Sequence, residues 1–338
     1  LIRYDAEAYP SLIISTKLYK GLNGENPPVK IMTPPKHRDR VAILFPGASP
    51  TAEEHPKMIM LGQVLAQNGF KVYIPRIPPL KKLDITMINV QWFTCFYRWI
   101  IDTEKVNPQR IIMIGMSYGG GLMLRMLKEI NNKLPFPKSI LTFGTYSDAH
   151  SLFHYFLTGI ISSNGKQFRI PPHEWGLVVI FQNYLKNLQT NWDSSELQKA
   201  IQLKIQDDNV ECDIQVKKLP DFQKDIFHSI ISGKTSPEVK KLAQTILRNE
   251  QESFINLSPK YWAKDISEKV FILHGLNDSM VPFTESIQLA GYLPNTELCV
   301  SCLLEHKEIS LNGGFFFNFK ELFKLLQFHA KLFSHYEN

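Results

Sequence analysis

From residue 40 onward, the sequence alternates between short apolar stretches of strand length and longer stretches with helical periodicity. This alternation is typical of a parallel sheet flanked by helices, because neighbouring parallel strands need a crossover connection, which is usually a helix. The predicted strands are Val41 to Phe45, Lys71 to Ile74, Arg110 to Ile114, Ser139 to Phe143, Lys269 to Leu273 and Thr296 to Leu304. The predicted helices are Glu53 to Asn68, Ile85 to Thr103, Tyr118 to Ile130, Thr284 to Tyr292 and Phe319 to Tyr336.

The alternation is interrupted once, between residues 151 and 262, and then resumes with another strand pattern. Within the interruption, Ser194 to Leu203 and Pro237 to Arg248 have helical composition, and the pairs Asn164-Gly165 and Pro171-Pro172 are typical of turns. We therefore predict a core formed by residues 1–150 and 263–338, with a mostly helical cap inserted at 151–262. In the N-terminal segment, residues 1–39, the pieces Leu12 to Tyr19 and Val29 to Met32 are predicted to pair antiparallel at the sheet edge.

Composition limits the function classes. With 338 residues, of which 44% are hydrophobic, the chain can bury a core without disulfides or metals. The net charge is +6, but the basic residues are scattered singly or in pairs, so no nucleic-acid partner is expected. No apolar run reaches the length of about 18 residues that a transmembrane helix needs. The small number of cysteines favours a cytoplasmic enzyme, although a chain that begins at Leu1 leaves a secreted or periplasmic one as an alternative.

The four cysteines are Cys95, Cys212, Cys299 and Cys302, and only the last two have CxxC spacing. They lie in the apolar run Leu298 to Leu304, and on a strand positions three apart point to opposite faces. We therefore predict neither a metal site nor a redox site.

The strongest functional signal is the pentapeptide GMSYG at residues 115–119, which follows a predicted strand and begins a predicted helix. A serine on such a tight turn is lifted out of the backbone, and the turn needs small neighbours, which Gly115 and Gly119 provide. Ser117 is therefore a candidate nucleophile, and the N–H of Tyr118 points with the helix dipole toward negative charge on a substrate oxygen. The alternative is an ordinary glycine-rich turn.

This elbow resembles that of the α/β-hydrolases, in which a carboxylate and then a histidine follow the serine along the chain. Asp278 follows the predicted strand Lys269 to Leu273 and can orient an imidazole. Two competitors remain for the acid: Asp148, which follows an earlier strand, and Glu305.

The candidate general base is His306, which ends the apolar run Leu298 to Leu304. His274 is expected to pack beneath the acid loop instead of reacting. A second donor to a substrate oxyanion is expected after the strand Val41 to Phe45, where the candidate is the N–H of Ala48 beside Gly47. For this segment the alternative is a plain Pro-Gly turn.

Residues 40–150 and 263–338 resemble the α/β-hydrolase superfamily in the elbow GMSYGG, the acid loop HGLNDSMVP and His306. The resemblance implies an α/β-hydrolase fold: a mostly parallel eight-stranded sheet flanked by helices, with a helical cap inserted after the sixth strand and a cleft beneath it. One departure is Pro46-Gly47, where many members have His-Gly. Ser117 excludes the relatives that need an aspartate nucleophile, such as haloalkane dehalogenases.

The resemblance implies a carboxylesterase-like or lipase-like enzyme that cleaves an ester or thioester through an acyl-enzyme, without a cofactor or metal. Its partner would be a small acyl substrate. The apolar stretch Leu152 to Ile161 would make that substrate lipophilic if it lines the acyl pocket, and packing of this stretch onto the core is the alternative. An acyltransferase, a peptidase and a non-catalytic binding protein on the same fold remain alternatives. The sequence predicts no oligomeric state.

Overall fold

The computed structural model describes residues 12–35, 39–163, 165–304 and 315–338, without the side chains of 315–318. The strands are β1 (Ile13–Leu18), β2 (Pro28–Thr33), β3 (Arg40–Phe45), β4 (Phe70–Pro75), β5 (Ile111–Met116), β6 (Ser139–Phe143), β7 (Ile160–Ser163), β8 (Lys166–Arg169), β9 (Val270–Gly275) and β10 (Thr296–Ser301). The helices are α1 (Pro56–Gln67), α2 (Pro78–Lys81), α3 (Ile88–Asp102), α4 (Tyr118–Ile130), α5 (Ala149–Thr158), α6 (Trp175–Tyr184), α7 (Ser195–Ile205), α8 (Asn209–Lys218), α9 (Asp221–Ile231), α10 (Pro237–Asn249), α11 (Gln251–Leu257), α12 (Phe283–Tyr292) and α13 (Phe315–Glu337).

Eight strands form one sheet in the order β1-β2-β4-β3-β5-β6-β9-β10. The strands from β4 to β10 in this order pair parallel, and β2 pairs antiparallel with both β1 and β4. The mostly parallel sheet and its antiparallel N-terminal edge are therefore confirmed. Strands β3, β5 and β9 are almost wholly buried, which explains why their sequences are continuous apolar runs.

The last strand is shorter than predicted. We expected it to reach Leu304, but β10 ends at Ser301. The Ser301 hydroxyl accepts a hydrogen bond from the N–H of Leu303 at 3.2 Å, which turns the chain out of the sheet. The final helix also begins earlier than predicted, at Phe315 instead of Phe319.

Helices cover both faces of the sheet. Buried side chains of α1 and α13, such as Met58, Leu65 and Phe328, pack on one face. On the other face pack side chains of α3, α4 and α12, which include Phe93 and Leu122. Because β3, β4, β5, β6, β9 and β10 run parallel, their carboxyl ends lie together at one edge of the sheet, which is where α/β sheets bind ligands.

The insertion between β6 and β9 contains α5 to α11 and a two-stranded sheet, β7 with β8. Its buried apolar side chains, such as Phe153, Phe181 and Phe227, form a third cluster. The helices predicted at Ser194 to Leu203 and Pro237 to Arg248 correspond to α7 and α10. The β7–β8 hairpin had no counterpart in the prediction, and the division into core and cap domains stays a prediction. Within the described ranges, no helix is both long and apolar enough to cross a membrane.

Candidate active site

Ser117 lies between the end of β5 and the start of α4, with φ 51° and ψ −126°. A non-glycine residue in this region costs on the order of 1–3 kcal/mol, so its surroundings must hold it there. The N–H of Ser117 donates to the carbonyl of Phe143 at 2.7 Å. Its carbonyl accepts from the Thr145 hydroxyl at 3.1 Å and from the N–H of Gly120 at 3.0 Å. These bonds fix the sharp turn that carries the serine.

The turn is packed so tightly that its glycines cannot carry a side chain. A Cβ on Gly119 would lie 2.1 Å from the carbonyl oxygen of Pro46, and one on Gly120 would lie 1.9 Å from the Thr145 hydroxyl oxygen. A Cβ on Gly115 would lie 2.6 Å from the Cα of Gly120. Gly119 contacts the backbone of Pro46, so the elbow and the loop after β3 pack directly against each other.

The loop after β3 lies directly against the nucleophile. The Cβ position of Gly47 is 3.1 Å from the carbonyl oxygen of Met116 and 3.7 Å from the Oγ of Ser117. Ala48 and Tyr118 line the same cavity as Ser117. Because Tyr118 is the first residue of α4, its N–H has no acceptor within the helix and lies at the positive end of the helix dipole. The arrangement is compatible with two main-chain donors to one substrate oxygen.

The side chain of Tyr118 has a second role, which the sequence did not reveal. Its hydroxyl donates to the carbonyl of Ile85 at 2.6 Å, and its ring stacks on Tyr146 with centroids 5.5 Å apart. Burial raises the pKa of Tyr118 well above its ordinary value, so the phenol stays protonated and serves as a donor. The residue that begins α4 is therefore also an anchor for the segment around Ile85.

Asp278 lies in the turn beyond β9 and is 1% exposed. Its Oδ1 accepts hydrogen bonds from the N–H groups of Met280 and Val281, both at 2.8 Å. Met280 and Val281 line the cavity that Ser117 also lines. The acid loop and the elbow thus border one space, while His306 and Glu305 lie outside the described residues.

Asp148, the competing acid, is engaged elsewhere. It caps α5 by accepting from the N–H of His150 at 3.0 Å, and its other oxygen lies 3.1 Å from the Nζ of Lys260. The hydrogen bond from Lys260 to Asp148 raises the pKa of that lysine. Both oxygens of Asp148 are therefore engaged, one in a helix cap and the other in an ion pair. The choice of Asp278 as the acid stays a prediction.

Next to Asp148, the buried carboxyl of Glu285 ties α12 to the start of α5. One oxygen of Glu285 accepts from the N–H and hydroxyl of Ser147 at 2.9 and 2.8 Å and from the N–H of Asp148 at 3.0 Å. The other contacts the hydroxyl of Ser151. Burial raises the pKa of Glu285 above its ordinary value, against the opposing effect of these hydrogen bonds.

We expect this raised pKa to make stability depend on pH. The folded protein holds the Glu285 proton at pH values where an unfolded chain has lost it, so the stabilisation is full below the ordinary glutamate pKa and is lost as the pH rises through the folded pKa. In Glu285→Gln the neutral amide donates to Ser151 at every pH. The melting temperature of this variant minus that of wild type should therefore grow as the pH rises through that window.

Thermal unfolding measured across this pH range tests the prediction. Glu252→Gln, which removes an exposed carboxylate from α11, controls for the change in net charge. Parallel melting curves for Glu285→Gln and wild type at all pH values would contradict it.

The cavity beside Ser117 has a volume of about 690 Å³. Much of its wall is apolar and comes from the insertion, including Leu152, Phe153, Phe156, Val179, Ile180 and Phe254. In the stretch Leu152 to Ile161, Phe153 and Phe156 line the cavity and also belong to the buried cluster of the insertion. That this stretch lines an acyl pocket stays a prediction. The arrangement gives a serine hydroxyl at the border of an apolar chamber.

The described part of the chain offers no group of three or more His, Cys, Asp or Glu residues arranged to hold a metal ion. The cysteines are free thiols. Cys299 is buried on β10, whereas Cys302 lies in the turn after that strand, so the expected placement of both on one strand is wrong. Burial raises the pKa of the Cys299 thiol, which disfavours its reactive thiolate form.

No protein-family model and no curated protein matches this sequence. Among solved structures, an uncomplexed acylaminoacyl peptidase from Pyrococcus horikoshii is 13% identical, with a TM-score of 0.54 over 96% of this chain and 43% of that one. An acylaminoacyl peptidase in complex with Z-Gly-Gly-Phe-chloromethyl ketone is 13% identical, with a TM-score of 0.52 over 95% of this chain and 41% of that one. A 2-hydroxy-6-oxo-6-phenylhexa-2,4-dienoate hydrolase from Rhodococcus sp. strain RHA1 is 15% identical over 97% of this chain and 100% of that one, with a TM-score of 0.49.

At 13% identity, the similarity to the two acylaminoacyl peptidases is evidence for the fold alone. This similarity agrees with the eight-stranded, mostly parallel sheet and the helices on both of its faces. The fold of this chain is that of the α/β-hydrolases.

Proposed function

We propose that this protein is a serine hydrolase that cleaves a carboxylic ester or thioester through an acyl-enzyme. The observation that carries the proposal is Ser117 itself, held in a strained conformation at the start of α4 and bordering an apolar cavity. Strain of this kind needs many supporting contacts, and the Phe143, Thr145 and Gly120 hydrogen bonds supply them. An ordinary glycine-rich turn would not require a serine in the left-handed region.

In the proposed reaction, the Oγ of Ser117 attacks the substrate carbonyl while His306 accepts the hydroxyl proton. Asp278 orients His306, and the N–H groups of Ala48 and Tyr118 stabilise the oxyanion, with each such donor contributing about 3 kcal/mol. The leaving alcohol or thiol then takes the proton from His306. Water attacks the acyl-enzyme by the same route and releases the acid.

The apolar wall of the cavity supports a lipophilic acyl group as the substrate. Leu152, Phe153 and Phe156 from α5 are joined there by side chains of α6 and α11. Burying one methylene against such a wall contributes about 0.8 kcal/mol, which is about fourfold in kcat/KM if the contact is kept in the transition state.

A series of p-nitrophenyl esters from acetate to dodecanoate tests the proposal. We expect kcat/KM to rise with acyl length until the cavity is full. Leu152→Trp, which enlarges a cavity wall residue, should lower kcat/KM for long esters by about tenfold or more while changing that for acetate much less, because it removes the volume that the methylenes occupy.

The matched control is Ile214→Trp, an exposed position on α8 that does not line the cavity. It should leave the length profile unchanged. Rates that are independent of acyl length in the wild type would contradict the lipophilic substrate, and absence of hydrolysis for every ester would contradict the esterase itself.

A further inference from the structure

A series of buried polar contacts joins the nucleophile elbow to the acid loop, and the proposed reaction does not use the side chains between Ser117 and Asp278. We call it the buried polar chain, and its members are Ser117, Thr145, Ser286, His274, Val281 and Asp278. Thr145, Ser286 and His274 are fully buried, and Asp278 is 1% exposed. Burying a polar group costs free energy unless it is hydrogen-bonded, so these buried side chains depend on one another for partners.

The first half of this buried polar chain runs from the elbow at Ser117 to α12. The hydroxyl of Thr145 donates to the carbonyl of Ser117 at 3.1 Å, and the Oγ of Ser286 lies 3.2 Å from the carbonyl oxygen of Thr145. The same Oγ lies 2.5 Å from the Nδ1 of His274. The Ser286 hydroxyl therefore sits between the carbonyl of Thr145 and the His274 ring and touches both.

The second half runs from the imidazole to the acid. The Nε2 of His274 lies 2.8 Å from the carbonyl oxygen of Val281, and because a carbonyl only accepts, Nε2 carries a proton and donates it. The N–H of Val281 in turn donates to the Oδ1 of Asp278 at 2.8 Å. The peptide units on both sides of Val281 are thus held, one by His274 and the other by Asp278. His274 also reaches the carboxylate itself, with its Nε2 3.5 Å from the Oδ2.

We infer that His274 is a positioning residue, which holds the Val281 carbonyl and thereby fixes the loop whose N–H groups orient the Asp278 carboxylate. The inference rests on the proposed function, in which Asp278 orients the general base. The role of His274 is distinct from that of His306. His274 is fully buried on β9, does not line the cavity beside Ser117 and would not touch the substrate. Moving a catalytic group by about 1 Å can lower the rate about a hundredfold. We therefore expect kcat to fall measurably when the loop that holds Asp278 is no longer fixed.

The test compares His274→Gln with His274→Met in the full-length protein. The two side chains have similar length and volume, but only the glutamine amide can donate to the Val281 carbonyl. With p-nitrophenyl butanoate we expect His274→Met to lower kcat by about tenfold to a hundredfold and to change KM by less than about twofold. His274→Gln should recover most of the lost kcat.

Thr142→Val is the matched control for a change inside the sheet. Thr142 is also fully buried, and among the described residues its hydroxyl has no hydrogen-bond partner. Removing this hydroxyl therefore leaves the buried polar chain intact. Kinetic constants of this variant should equal those of wild type. Melting temperatures of all variants separate a loss of folded protein from a loss of kcat.

Equal kcat for folded His274→Met and wild type, or an equal loss in His274→Gln and His274→Met, would overturn the inference. If His274→Met does not fold, Ser286→Ala is the test. We expect Ser286→Ala to lower kcat severalfold at unchanged KM. An unchanged kcat in this variant would overturn the inference. Failure of the proposed function looks different, because wild type would then neither hydrolyse any ester nor react with a fluorophosphonate.

Discussion

Replacing Ser117 by alanine is expected to lower kcat for ester hydrolysis by about 10⁴-fold or more, because no other group can then form the acyl-enzyme. Residual catalysis would come from the main-chain donors alone. Stability should change little, because the hydrogen bonds that hold the turn involve the N–H and the carbonyl of Ser117, and alanine keeps both.

The measurement is the steady-state rate with the preferred p-nitrophenyl ester, together with the melting temperature. Ser15→Ala, on the exposed edge strand β1, controls for the loss of a serine hydroxyl far from the cavity. If Ser117→Ala retained a rate within about tenfold of wild type, a different nucleophile or a different mechanism would be required.

The second large effect is expected from Gly119→Ala. The new methyl group would lie 2.1 Å from the carbonyl oxygen of Pro46, and a backbone atom cannot move aside as a side chain can. The loop that carries Ala48 must shift away from the elbow, which separates the two proposed oxyanion donors. We expect kcat to fall by about a hundredfold or more and the free energy of unfolding to fall by about 1–3 kcal/mol.

Gly291→Ala supplies the matched comparison. Gly291 lies in α12, and among the described residues nothing outside its own helix and chain neighbours comes within 4 Å of a Cβ built there. The same change should leave kcat unaltered and raise the free energy of unfolding by about 0.5–1 kcal/mol, as is usual for glycine to alanine in a helix. Wild-type activity in Gly119→Ala would show that the contact with Pro46 does not constrain the oxyanion loop.

The parallel sheet was predictable because buried parallel strands are apolar on both faces, which leaves continuous runs such as the one in β5. The turn at Ser117 was also predictable from the sequence. Only glycine fits beside the Pro46 carbonyl, and the sequence has Gly119 at that position. The expected order of acid and histidine followed from the resemblance to the α/β-hydrolases. For His306 the structure adds nothing, because it lies outside the described residues.

Contacts between distant segments could not be predicted, because they depend on packing. The hydroxyl of Tyr118 finds the carbonyl of Ile85, and Asn183 of α6 reaches the same segment by accepting from the N–H of Ile85 at 3.1 Å. Glu285, on α12, is buried and accepts hydrogen bonds from Ser147 and Asp148 in the loop after β6. Local patterns also missed the β7–β8 hairpin, whose second strand is wholly exposed and lacks the alternation of a half-buried strand.

The most direct test of the central claim is the mass of the protein after reaction with a fluorophosphonate, followed by peptide mapping. The proposed mechanism predicts one adduct per chain on the peptide that contains Ser117, and no adduct in Ser117→Ala. A folded wild-type protein that remains unmodified, or that carries the adduct on another residue, would contradict the assignment of Ser117 as the nucleophile.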